Sequence, residues 1–193
     1  MIMKKTAIYT KGIITMNKFL GHLHTINKHR FLVFKLSIKA GIPIRGLMHD
    51  LSKYSLVEFT EGVKYYTDGM KSPISTCKKL NGYSNSWLHH KGRNKHHFEY
   101  WYDFNAPIKA SIIPYKYFVE LICDNIAASL TYNKNNWNNS NPLNYFLNRK
   151  DLDYINDDIK KVIIEIYTHL KDFGINNTIN KKYLKKTYNK YIK

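Results

Sequence analysis

Residues 17–40 read NKFLGHLHTINKHRFLVFKLSIKA. Apolar side chains recur at helical spacing at Phe19, Leu20, Leu23, Ile26, Val33 and Leu36, and Gly41 with Pro43 ends the run. His22 and His29 stand seven residues apart on the face that Ile26, Val33 and Leu36 continue, so the spacing predicts two inward-pointing histidines. Each could be a core histidine bonded to a backbone carbonyl or a metal ligand, and the rest of the chain has to decide between these.

The helical period continues outward from this segment. A short helix over 43–50 should end in His49-Asp50. Ser55-Leu56-Val57-Glu58 reads as a capping box opening a helix to about Tyr66, and Ser72-Pro73 as the start of another that ends near Gly82. Short helices are predicted over 84–91 and 95–102 around a turn at Gly92, and a long apolar helix from Pro114 to about Thr131. The Asn-rich stretch 133–141 reads as a loop, followed by helices at about 142–149, 154–172 and 178–191. No period-two alternation flanked by hairpin turns, no repeat and no second core is visible. The expectation is an all-α fold: one helical bundle over 16–193, with 1–15 as a loosely attached N-terminal extension ahead of Met16.

A chain of 193 residues, 44% of them hydrophobic, can bury a proper core and is not a disordered composition. No apolar run approaches the roughly 18 residues of a membrane span. The opening MIMKKTAIYTKGIITM lacks the continuous apolar stretch of a signal peptide. Cys77 and Cys123 form no CxxC pair, which points to a reducing compartment, by default the cytoplasm. The net charge of +17 suits an anionic partner such as a nucleotide, a phosphate ester or nucleic acid. It equally suits an A/T-rich coding bias, because Lys, Asn, Ile and Tyr dominate the chain.

Eight of the nine histidines precede residue 100, at His22, His24 and His29, at His49, at His89-His90 and at His96-His97, while His169 stands apart. Asp124 lies in FVELICDNIAA, residues 118–128, where nearly every neighbour is apolar or small. A carboxylate buried there without a partner costs several kcal/mol and calls for a cation, strong donors or a metal. His49 and Asp50 follow the apolar GLM and precede LSK, a helix end at which two adjacent side chains can converge on one ion.

These residues resemble the pattern of the HD superfamily of metal-dependent hydrolases: a histidine on one helix, His-Asp at the end of the next, optional further histidines, and a distant Asp on a later helix. The matching positions are His29, His49, Asp50 and Asp124. The resemblance implies an all-α HD-like bundle with one or two divalent transition metal ions (Mn, Fe, Co, Ni or Zn) and hydrolysis of a nucleotide or related phosphate ester by a metal-activated water. A second ion would be held by His90 with His96 or His97, with Asp50 as the bridge. The middle histidines of binuclear members stand farther apart than the pairs seen here, so one ion or two stays open. The segments HLHTINKHRFLVFKL, GIPIRGLMHDLSKYS, NGYSNSWLHHKGRNKHHFEYW and PYKYFVELICDNIAAS more closely resemble an uncharacterised family of small bacterial and phage proteins, a domain of unknown function. Some of its relatives carry an automatic catalase label, but no haem ligation or Glu-x-x-His pair supports it here.

Within this reading Lys53 could contact a phosphate oxygen or assist proton transfer, and Arg93 could clamp a phosphate between the histidine pairs. Arg45 is a weaker candidate for that role. His22 could be a ligand or a group that orients one. Trp87, Tyr100 and Trp101 read chiefly as packing residues. The basic segment 180–191 with interleaved tyrosines reads as a terminal docking helix with a solvated lysine face, nucleic-acid contact being the alternative. Two other functions stay open: a di-iron oxygenase on the same scaffold, and a non-catalytic basic module that binds nucleic acid or protein.

Overall fold

The computed structural model describes residues 2–192, with side chains from residue 15. The fold is all-α. Helix α1 (Ile2–Ala40) and α2 (Pro43–Met48) are followed by a 3-10 turn over Leu51–Tyr54, then α3 (Leu56–Lys64), α4 (Pro73–Asn81) and α5 (Asn85–Arg93). A second 3-10 turn over Phe98–Trp101 precedes α6 (Tyr115–Asn133), α7 (Asn141–Leu147), α8 (Asp157–Thr178) and α9 (Lys181–Tyr191). Among the described residues there is no strand, only an antiparallel bridge between Tyr102 and Ala110, and no helix is long and apolar enough to cross a membrane. The boundary expected after residue 15 falls inside α1, and the side chains of 1–14 lie outside the described residues.

Helix α6 is the axis of the core. Phe118, Val119, Leu121, Ile122, Cys123, Ile126 and Ala127 are all buried, so the helix is enclosed on nearly every side. Val33, Leu36 and Ala40 of α1 join its side chains in one core cluster, as do Ile159, Val162, Ile163, Ile166 and Leu170 of α8 and Leu184 and Tyr188 of α9. These apolar positions follow the 3.6-residue period, and their burial is the main stabilising term. Helix α9 buries Leu184, Thr187 and Tyr188 and leaves Lys181, Lys182, Lys185, Lys186 and Lys190 exposed. Its tyrosines are used within the fold: the Tyr188 hydroxyl donates to the Ile113 carbonyl at 2.7 Å and the Tyr191 hydroxyl to Glu165 at 2.6 Å, while Tyr183 stacks on His169.

Several local signals resolve differently from the sequence expectation. Helix α2 stops at Met48 instead of reaching residue 50: His49 is extended (φ −55°, ψ 132°) and Asp50 left-handed (φ 53°, ψ 29°). Ser55 caps α3 by accepting from the Glu58 N–H, but the Glu58 carboxylate turns away from the cap towards α5. Gly92 lies inside α5, and the chain turns after Arg93. Ser72 precedes Pro73 as expected, but its side chain makes no capping bond. Helix α8 runs on to Thr178 with a break at Gly174 (φ 75°, ψ 175°), close to the expected end at 172.

Two devices place the His49-Asp50 turn. Gly46 lets α2 lie directly on α1, since a Cβ there would meet the Ser37 Cβ at 2.4 Å. Arg30 of α1 then clamps the end of α2, donating to the His49 carbonyl from Nε and to the Leu47 carbonyl from Nη2, each at 2.8 Å. A cation on the last carbonyls of a helix satisfies them and complements its dipole.

Candidate metal centre

Helix α1 supplies His29, on the inward face with Ile26, Val33 and Leu36, all of them buried as the spacing predicted. Helix α6 supplies Asp124. Its Oδ1 lies 3.0 Å from His29 Nε2 and 3.5 Å from His49 Nε2, and Asp50 Oδ2 lies 3.4 Å from the same His49 nitrogen. His29, His49, Asp50 and Asp124 thus bring one ligand atom each within 4.8 Å of one another.

A second set shares Asp50. His90 from α5, and His96 and His97 from the turn after it, converge on the same carboxylate. His90 Nε2 is 3.3 Å and His96 Nε2 3.4 Å from Asp50 Oδ1. The close spacing of the two histidine pairs is therefore no obstacle: α5 presents His90, and the turn beyond Asn94 folds His96 and His97 back beside it. Asp50 Oδ1, His96 Nε2 and His97 Nε2 are buried and make no hydrogen bond among the described residues. Buried polar atoms without partners are costly, and three of them around one point fit a cation.

The opposite ring nitrogens face carboxylates. Glu120 Oε1 lies 3.1 Å from His49 Nδ1 and 3.4 Å from His96 Nδ1. Glu58 Oε2 lies 2.8 Å from His90 Nδ1, and its Oε1 lies 2.7 Å from His89 Nδ1. A carboxylate can only accept here, so each of these Nδ1 atoms carries a proton, and the Nε2 atoms of His49, His90 and His96 face the shared cluster. Glu120, His49 and His96 also lie close enough to suggest a third set. The Nδ1 geometry makes Glu120 a support of the two outer sets instead. Arg45 holds Glu120 Oε2 from Nε and Nη2, both at 2.6 Å, and stacks on Tyr117, so its place in this structure is to support that carboxylate.

Glu61 fixes the approach of α5. Its carboxylate accepts from the Ser84 hydroxyl and from the N–H groups of Asn85 and Ser86, at 3.1 and 3.2 Å, where the helix dipole favours an anion. Glu58 and Glu61, three residues apart on α3, therefore anchor one helix at two points.

The electrostatics follow from this crowding. Burial alone would lower the His49 pKa, but Asp50, Asp124 and Glu120 raise it to about 10. Burial would raise Glu120, yet His49 and His96 hold its carboxyl down to about 2. His97 is held well below the ordinary histidine value by burial and then by His96 and His90, so it is a neutral imidazole. Lys53 sits on the 3-10 turn with Nζ 3.2 Å from Asp50 Oδ2, and its pKa is raised because Asp50 and Asp124 outweigh burial.

The clusters line a cavity of about 990 Å³ that also exposes Lys53 and His22. His22 belongs to neither ligand set. It lies against Phe59 and Tyr66 and is accommodated because residue 62 is glycine, a Cβ there meeting its Nε2 at 2.0 Å. Arg93 is not brought to the site: it is exposed on α5 and, among the described residues, reaches only the His89 carbonyl, at 3.5 Å. Sequence reasoning missed Glu120, Glu58 and Arg30. Glu120 carried a usable signal, lying one turn before Asp124 in the same apolar run.

No curated protein and no solved structure matches the chain. A family model described as a family of unknown function, DUF5662, matches residues 18–169, and the chain belongs to that family.

Proposed function

We propose that the protein is a metal-dependent phosphohydrolase or phosphodiesterase of the HD type, acting on a nucleotide or related phosphate ester. The observation that carries this reading is the sharing of Asp50 between two buried ligand sets, His29/His49/Asp124 on one side and His90/His96/His97 on the other. The order of the first set along the chain, with a histidine on α1, His-Asp after α2 and an Asp on α6, agrees with the HD pattern. Imidazole and carboxylate donors suit Mn, Fe, Co, Ni or Zn. Divalent ions held there would supply Lewis acidity and lower the pKa of a water at neutral pH.

The chain's own residues would do the rest. Glu120 and Glu58 fix the tautomers of His49, His96 and His90 before substrate arrives. Lys53, beside Asp50 on the cavity wall, would take a phosphate oxygen, and the buried walls would limit the water that reaches the ester.

The test is a panel of phosphate mono- and diesters offered to protein loaded separately with Mn, Fe, Co, Ni and Zn. Turnover that disappears in Asp50→Ala is expected. Metal-bound protein that hydrolyses none of the panel would overturn the reading. The same donor set suits two irons, so dioxygen uptake by the iron-loaded protein is the measurement that separates an oxygenase from a hydrolase.

A further inference from the structure

The cavity continues past the metal-facing residues, between α4, α5 and α7, and its wall there differs in character. Lys78 projects from α4 with Nζ 4.4 Å from the centroid of the Trp87 ring. Arg149, just beyond α7, lays its guanidinium 4.7 Å from the Phe98 centroid and 5.8 Å from that of Tyr145. Rings beneath a cation hold it in place without neutralising it. Asp151 accepts from Arg149 Nε and Nη2, at 2.8 and 2.6 Å, leaving Nη1 free of any partner among the described residues. Lys78 Nζ makes no hydrogen bond or salt bridge among them either, though the Glu99 and Asp151 carboxylates attract it from farther off.

Two cations thus face one end of a cavity whose other end holds the ligand sets and Lys53. A phosphoryl group alone would leave most of that volume unused. We infer that Lys78 and Arg149 form a second anion subsite, so that the substrate is a phosphate ester carrying another anionic group, phosphate or carboxylate, at its far end. This rests on the phosphohydrolase reading above.

The experiment uses the full chain loaded with Mn(II) and three probe series of graded spacer length: n-alkyl monophosphates, α,ω-alkanediol bisphosphates and ω-carboxyalkyl monophosphates. Calorimetric titration should find at least one doubly anionic probe bound about tenfold or more tightly than its monophosphate. Lys78→Gln and Arg149→Gln should each cut that preference to about threefold or less, with monophosphate affinity unchanged. Because Arg149→Gln could disturb Asp151 and Phe98, the exposed Lys78→Glu is the independent variant, and it should abolish the preference. A gain with bisphosphates alone assigns the second group as phosphate, and an equal gain with the carboxyalkyl series assigns a carboxylate. Equal affinity for singly and doubly charged probes at every spacer length, or a preference that survives all three variants, overturns the inference. Preference without hydrolysis of any ester would sink the phosphohydrolase reading and leave the subsite standing. Hydrolysis without preference would do the reverse.

Discussion

Glu120 lies 3.1 Å from Nδ1 of His49 and one helical turn before Asp124, which faces Nε2 of the same imidazole. One helix therefore grips both sides of the ring. Replacing Glu120 by Gln keeps the shape but removes the acceptor charge. Metal affinity should fall about tenfold to a hundredfold in this variant, measured by competition with a fluorescent chelator. Unchanged affinity would show that His49 needs no such support.

Asp50 belongs to both ligand sets, whereas Asp124 belongs to the first alone. Asp50→Asn keeps a residue type that tolerates the left-handed backbone. It should strip metal from both sets, while Asp124→Asn should leave the His90/His96/His97 set loaded. Elemental analysis after dialysis against the metal reads this directly, with circular dichroism to establish folding. Equal metal content in the two variants would contradict the shared-carboxylate arrangement.

Metal uptake should grow stronger as pH rises. Burial opposes protonation of His49, but Asp50, Asp124 and Glu120 raise its pKa to about 10, so near neutral pH an incoming ion must displace a proton. Each displaced proton makes affinity rise about tenfold per pH unit below that value. Chelator competition at pH 6, 7 and 8 checks the slope, and a flat profile would argue against the exchange.

His22 should mark the acid limit of the fold. Burial, assisted by Lys53, lowers its pKa from 6.5 to about 4, and its Nδ1 is buried without a partner. The folded pKa lies below the unfolded one, so the unfolded chain binds the proton more readily. The stabilising contribution is complete above pH 6.5 and is lost as pH falls through about 4. It amounts to about 3 kcal/mol at most. The urea midpoint of wild type should fall further than that of His22→Asn as pH drops from 7 to 4, and parallel curves would rule this out.

What the sequence disclosed was whatever has a local signature. The inward face of α1 was legible because His22, Ile26, His29, Val33 and Leu36 share one stripe, and Asp124 because a carboxylate in an apolar run has to be explained. The same logic applied to Glu120 and would have found it. Glu58 was hidden by a competing local role, since three residues after Ser55 it completes a capping box, and only tertiary contact with His90 turns it elsewhere. Arg93 lies between two histidine pairs in the chain, which suggests a place beside them. The helix continues through Gly92, however, and carries it to an exposed face. The cations that folding brings to the cavity wall are Lys53, also legible one helical turn after His49-Asp50, and Lys78 and Arg149, the last contributed from far along the chain.

The ligand sets also bear on how the chain holds together. Their members come from α1, the turn after α2, α5 with its following turn, and α6, segments far apart in the chain. An ion gripping them would act as a removable cross-link across loops of very different length, slowing the opening of the whole bundle rather than of one helix. Chelation should therefore register as faster proteolysis across the whole bundle, and metal supply would govern the lifetime of the protein.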